Sequence, residues 1–343
     1  MALISKKKLP FPISQHLYSY LRKHNRISSI PIHYSDLLRF DNAIPLYDQK
    51  GEDTLWNTVF YPQEDMKSIH ESLKHIYAIM KSGGDRSVIE HLYIDRVDLC
   101  SYGNTQPFRV RIVNRINDNF DYFYIKKADA SRIYGLELED SLSPNRVSYC
   151  VHGQTLIEEH IAGIPGDSFM KYYLNDGKQN KIRLAKEFVK FNERCLVRLL
   201  GDMHSSNFVV DLTPDFDETN YRIRAIDFDQ QSFEGRKAIY LPQYYKQNNP
   251  LIQLCIEVLT HESVKQYQTE ERALIANRIK ASREKMKTLI NSMKADVIST
   301  EQNVKQLREE LAQHYQKNDF LTCNNMGEIL EKSLTLLLMN KKN

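Results

Sequence analysis

The sequence predicts an α+β fold in which a small antiparallel sheet precedes a mainly helical region. Three observations carry that expectation. Across residues 91–161, short runs of alternating apolar and polar residues follow one another, separated by turn formers. Across 64–80, and again from Leu251 onward, apolar residues recur at three and four, the spacing of one helix face. Between these regions two groups of acidic and amide residues, at 201–207 and 225–229, sit among apolar neighbours.

Residues 1–88 read as a helical extension. A helix is expected over 14–24, with turn signals at Pro31 and Pro45, and Trp56 beside Val59, Phe60 and Tyr61 reads as a packing anchor. In 64–80 the apolar residues Met66, Ile69, Leu73, Ile76, Tyr77 and Met80 share one face, and Gly83-Gly84 ends the helix. Residues 89–162 form the sheet domain. Strands are expected over 91–100, 107–113 and 121–127, and the alternation of Phe108, Val110 and Ile112 with Arg109 and Arg111 gives the sheet one wetter face. A helix over 128–142 follows, with Asp129 as a candidate N-cap, Pro144 beyond its end and Gly135 as its weak point. Two more strands, 146–151 and 155–161, are joined by His152-Gly-Gln154.

Residues 163–343 form the helical domain. Helices are expected over 167–174 and 182–191, then over 251–260, 270–294, 300–315 and 325–339. The last four carry many charges and fewer than three clean heptads, so they read as a solvent-facing layer ahead of a partner-binding coiled coil. Pro-Asp-Phe-Asp-Glu-Thr-Asn220 is a turn-rich stretch between two β-like runs, which makes 208–226 an elongated hairpin.

Composition narrows the function classes. A chain of 343 residues holds two lobes or two modest domains. The net charge is +3, so no strong pull toward nucleic acid or a membrane surface is expected. Cys100, Cys150, Cys195, Cys255 and Cys323 lack close pairing and zinc-ligand spacing, as reduced thiols do. With no signal-peptide pattern and no membrane-length apolar run, the protein is expected to be soluble and cytoplasmic.

The chemistry sits in Gly201-Asp-Met-His-Ser-Ser-Asn207 and Ala225-Ile-Asp-Phe-Asp229. Apolar residues flank each group, so short buried strands would present the polar side chains at a common rim. Two polar turns would account for Asp202 and Asn207 alone, but not for the histidine or the paired aspartates. This pattern resembles the signature of the aminoglycoside phosphotransferase and choline kinase branch of the protein-kinase-like superfamily. That resemblance implies a two-lobed fold, with a small antiparallel β N-lobe, a mainly helical C-lobe and, here, extra N-terminal helices. It also implies ATP and Mg²⁺ bound between the lobes, and phosphoryl transfer to a hydroxyl.

Carried over residue by residue, Asp202 takes the catalytic-base position and His204 a loop position commonly filled in the family. Asn207 and Asp227 take the metal-ligand positions, and Asp229 is a further carboxylate that either binds metal or caps the next turn. In the N-lobe, the strand ending Tyr124-Ile-Lys-Lys127 resembles the one that carries the phosphate-contacting lysine. Strand alternation sends Lys126 and Lys127 to opposite faces; Lys126 is preferred and Lys127 competes. Glu137 is the candidate carboxylate for orienting that lysine, with Glu139 as alternative. Gly103, in the loop 101–106, is the candidate phosphate-loop donor. The segment 162–166 resembles the hinge between lobes, where main-chain groups of Glu159 and Ile161 would read adenine.

Three departures mark the chain. Leu200 stands where the family often has histidine, the link from Asn207 to Asp227 is long, and the segment 230–250 has no Ala-Pro-Glu-like end. The last points to a small-molecule acceptor ahead of a protein substrate. Nucleotidyl (AMP) transfer on the same fold, or a pseudokinase-type nucleotide sensor or scaffold, are the alternatives.

Overall fold

The structure, a computed structural model, describes residues 8–48, 50–101, 105–175, 180–215 and 218–339. In chain order the elements are α1 (Gln15–Lys23), α2 (Tyr34–Leu37), β1 (Asn42–Tyr47), β2 (Asp53–Phe60), α3 (Gln63–Lys81), β3 (Leu92–Leu99), β4 (Phe108–Asn114) and β5 (Phe120–Lys127). There follow α4 (Ala130–Leu142), β6 (Tyr149–His152), β7 (Thr155–Glu159), β8 (Ile164–Pro165), α5 (Gly166–Tyr172), α6 (Lys181–Arg198), β9 (Phe208–Asp215) and β10 (Glu218–Ala225). The remainder is helical: α7 (Asn249–Val258), α8 (His261–Ala281), α9 (Arg283–Ala295), α10 (Glu301–Tyr315) and α11 (Met326–Met339). The fold class is thus α+β, an antiparallel sheet followed by a helical region. Among the described residues no helix is long and apolar enough to cross a membrane.

The chain divides into two compact units. One comprises Leu9–Asp129 with Val147–His160 and contains a seven-stranded antiparallel sheet in the order β1-β2-β3-β4-β5-β7-β6. Strand parity builds its core: Phe108, Val110 and Ile112 of β4 and Phe123 and Ile125 of β5 are fully buried and pack with Ile69, Leu73 and Ile76 of α3. On the opposite parity, Arg109 lies 4.3 Å over the ring of Trp56, which is the packing role expected of that tryptophan. Asp98, fully buried, takes Arg109 at 2.8 Å and Arg96 at 3.0 Å, which lets two cations sit on this face.

The other unit comprises Ala130–Arg146 with the chain from Ile161 onward. Its small sheet has the order β10-β9-β8, and β9 pairs with β10 from Phe208↔Ala225 to Asp215↔Glu218. This is the elongated hairpin expected across residues 208–226. Around it stand α4 to α11, fastened by ion pairs such as the buried one of Arg198 to Glu139 and the half-buried one of Arg272 to Glu193.

Four expectations need correction. The extension over 1–88 is not purely helical, because β1 and β2 add two strands to the sheet: β1 pairs with β2, and β2 joins the sheet through β3, about forty residues further along the chain. Helix α4 groups with the helical unit, since Ile133, Leu136, Glu137 and Glu139 are all buried and its neighbours there include α8 and α9. Of the stretch 196–200, Leu196, Val197 and Arg198 continue α6 and Leu199 caps it, so it is not a strand. Finally, 270–294 is two helices broken at Ser282, whose hydroxyl donates back to the carbonyl of Arg278 at 2.8 Å.

Candidate active site

Helix α6 delivers the first motif group. It ends with Leu199 in the left-handed region at φ 57°, a conformation braced by its N–H on the carbonyls of Cys195 and Leu196 and by the packing of its fully buried side chain. Leu200 then bridges to Gln231, and Ser232 N–H donates to the carbonyl of Leu199 at 2.8 Å. Gly201 passes so close to the second group that a Cβ there would lie 3.2 Å from the carbonyl oxygen of Gln230 and 2.9 Å from Ile239. The two motif groups are therefore joined twice, by this bridge and by the base of the β9–β10 hairpin, where Ile226 N–H donates to the carbonyl of Asn207 at 3.0 Å.

Asp202 is also left-handed, at φ 61°, and its main-chain N–H donates to the hydroxyl of Tyr245 at 3.0 Å. That hydroxyl donates onward to the carbonyl of Ile239 at 2.9 Å. Asn248 ties the loop a second time, its Nδ2 donating to the carbonyls of Met203 and Pro242. Asn207 Nδ2 donates to the carbonyl of Asp202 at 2.8 Å, which commits the amide nitrogen inward and leaves the carboxamide oxygen as the group to offer a ligand. His204 Nε2 lies 3.9 Å from Asp202, and burial lowers the imidazole pKa against the pull of Asp227 and Asp167.

Burial, followed by the charges of Asp227, Glu234 and Asp229, raises the Asp202 carboxyl to about 7. Such a surplus of negative charge is what a cation would relieve. Arg132 of α4 supplies one: its Nη1 lies 2.8 Å from Oδ1 of Asp227 and 2.8 Å from Oδ1 of Asp229. The Asp229 side chain is buried, whereas that of Asp227 is 36% exposed. Among the described residues no three His, Cys, Asp or Glu side chains are grouped to hold a metal. The carboxamide oxygen of Asn207 with carboxylate oxygen from Asp227 is a hard-oxygen donor pair of the kind Mg²⁺ accepts, the rest of its shell coming from water and phosphate. That set fits one ion.

The remaining candidates are placed as follows. Lys126 is buried and pairs with Glu158 of β7 at 3.2 Å, while Lys127 is exposed. Lys126 lies on the parity of Tyr122 and Tyr124, opposite the core residues. Glu137 is fully buried beside Lys285 at 3.0 Å, and Glu139 pairs with Arg198 and accepts from Asn145 at 2.9 Å. Glu159 has its side chain on Lys81 and its main-chain N–H on the carbonyl of Ser148 at 3.0 Å, so that N–H is already committed. Ile161 opens the last segment of the helical unit. Gly103 lies outside the described residues. A cavity of about 550 Å³ between α6, α7 and α8, bounded by Phe188, Asn192, Gln243, Ile252, Cys255 and His261, has none of the motif side chains in its wall.

Sequence reasoning missed Arg132, Glu234, Tyr245 and Asn248. Arg132 had a signal: it shares a helix face with Gly135 and Leu136, and a charge on a buried stripe requires a buried partner. The others act on Asp202 and Met203 from 32 to 45 residues downstream, with nothing local to mark them.

No protein-family model and no curated protein matches the chain. Among solved structures it is similar to the autoinhibited serine kinase domain of the giant muscle protein titin, at 10% sequence identity and a TM-score of 0.29, over 72% of this chain and 94% of that one.

Proposed function

We propose that this chain is a kinase-like phosphotransferase that moves the γ-phosphoryl group of ATP to a hydroxyl, with Mg²⁺ as cofactor. The observation that carries the reading is the bond from Asn207 Nδ2 to the Asp202 carbonyl at the base of the hairpin that brings Asp227 alongside. Asp202 would orient the acceptor hydroxyl and take its proton, as the new O–P bond forms and ADP departs. Asn207 and Asp227 would hold the cation on the phosphates, and Lys126 would contact them. The charge surplus around Asp202 supports a cation there.

A small-molecule acceptor fits better than a protein. The segment after Asp229 is folded into short 3₁₀ turns whose Tyr245 and Asn248 are spent on the catalytic loop, and it lacks the Ala-Pro-Glu-like end on which a peptide platform is built. The same reading keeps the chain in the aminoglycoside phosphotransferase and choline kinase branch that its motif resembles.

A second reading, a nucleotide sensor without turnover, draws support from Arg132, which already neutralises the metal-site carboxylates. Turnover separates the two. Full-length protein with Mg²⁺, ATP and a panel of hydroxyl-bearing small molecules should give a product heavier by one phosphate, and Asp227→Ala should lower the rate roughly 10³-fold or more. A product heavier by AMP would replace phosphoryl with nucleotidyl transfer, and turnover unaffected by Asp227→Ala would remove the proposed metal ligands.

A further inference from the structure

Arg132 stands in the first turn of α4 and is 1% exposed. A guanidinium keeps its proton, so when buried it must be met by carboxylates and carbonyls. Here Nη1 meets Oδ1 of both Asp227 and Asp229, and Nη2 lies 3.3 Å from the carbonyl of Ile226. The Oδ1 of Asp227 accepts a second bond, from the main-chain N–H of Asp229 at 3.0 Å. That oxygen therefore serves two donors, as many as its in-plane lone pairs hold. Two neighbours lock the helix to the same segment. Ser131 Oγ donates to the carbonyl of Gln231 at 2.6 Å, and Gly135 leaves room for Phe228, whose Cβ would lie 2.9 Å from any Cβ added there.

We propose that Arg132 is a resident counter-cation of the Asp227–Asp229 pair, which holds Asp227 in ligand geometry without metal and replaces a second divalent ion. The site then takes one divalent ion, on Asn207 and Asp227, and Asp229 is the anchor of the arginine. An ion bridging Asp227 and Asp229 through their Oδ1 atoms would have to displace Nη1 or press against it, cation on cation in a low dielectric. Arg132 is thus a positioning residue, acting through the carboxylates it holds. The count of one ion rests on the phosphotransferase reading; the counter-cation role rests on the side-chain geometry alone.

Two measurements on the full chain test this, with Arg132→Met and Arg132→Lys beside wild type. In thermal unfolding without nucleotide, Arg132→Met should unfold several degrees lower in EDTA, and millimolar Mg²⁺ should raise its midpoint at least twice as far as it raises that of wild type. Arg132→Lys, which keeps the charge and loses the fork, should fall between, and it carries the comparison if the methionine variant does not fold. Equal Mg²⁺ shifts in variant and wild type overturn the proposal. In the second measurement, Mn²⁺ is titrated by electron paramagnetic resonance at saturating non-hydrolysable ATP analogue. Wild type should bind one Mn²⁺ per chain and Arg132→Met a second; two on wild type overturn the proposal. Wild type that takes up neither analogue nor Mn²⁺ counts against the phosphotransferase reading, and the unfolding comparison then decides the counter-cation role.

Discussion

Asn207 Nδ2 donates to the main-chain carbonyl of Asp202 at 2.8 Å, closing the five-residue loop that carries the candidate catalytic base. The bond does two things at once. It braces Asp202 in its left-handed backbone conformation, and it fixes the orientation of the carboxamide, whose nitrogen is committed to that carbonyl. Asn207→Asp keeps an oxygen for metal but sets a carboxylate against a carbonyl. It should cost about 1–3 kcal/mol in urea unfolding and lower turnover at least roughly tenfold. Wild-type stability in that variant would show that the bond does not hold the loop.

The Asp202 carboxyl, raised to about 7 from an ordinary 3.8, makes stability depend on pH. The folded chain keeps a proton there, between pH 4 and 7, that the unfolded chain has released. Stability from this group is therefore greatest below the unfolded value and falls as pH rises to about 7. Asp202→Asn removes that loss. It should gain about 1–3 kcal/mol over wild type at pH 8 and nothing near pH 4, a range already discounted from the full shift because the side chain is 25% exposed. Urea unfolding of both proteins across that range measures it, and parallel curves would show that the carboxylate is not penalised.

Gly135 sets helix propensity against packing. Alanine gains about 1 kcal/mol as a helix former, but its Cβ would stand 2.9 Å from that of Phe228 and 3.2 Å from that of Gln231. The clash should win, with a net loss of about 1–3 kcal/mol in chemical denaturation. A stabilised Gly135→Ala protein would mean that the segment 227–231 yields freely.

Tyr245→Phe removes the hydroxyl that accepts from Asp202 N–H and donates to Ile239. The ring stays, so the protein should fold with a loss of about 1–2 kcal/mol. Because the hydroxyl touches the loop's backbone, kcat should fall more than KM rises, in steady-state assays. A change confined to KM would place Tyr245 at substrate instead.

The lysine assignment divides cleanly. Lys126→Ala should weaken nucleotide binding at least roughly tenfold, read as a lost thermal shift with Mg²⁺ATP, while Lys127→Ala should leave that shift intact. The reverse pattern would move the phosphate contact to Lys127.

Strands β3, β4 and β5 and helices α3, α10 and α11 were legible in the sequence to within one or two residues, because the apolar period of each is written locally; α4, buried on all sides, was legible from the turn formers at its ends. Strands β1 and β2 were not. Ile44, Tyr47 and Leu55 are exposed, Pro45 interrupts the pattern, and the pairing that makes them strands comes from residues up to 42 positions away at Leu99. The break at Ser282 hid within a continuous amphipathic stretch. Glu137, with Glu139 as alternative, was expected to orient the strand lysine, but Lys126 pairs with Glu158, and the two glutamates pair with Lys285 and Arg198.

By itself the sequence determined the α+β class and the hairpin between the motif groups, and it singled out Asp202, Asn207 and Asp227 as candidate site residues. Those features depend on short-range period and on residue type. Only the tertiary structure decided which side chains hold them: Tyr245 and Asn248 on the loop, Glu234 raising the charge around Asp202, and Arg132 across Asp227 and Asp229. Buried charges and main-chain donors must find partners wherever folding brings them, and here those partners lie from 32 to 97 residues away along the chain.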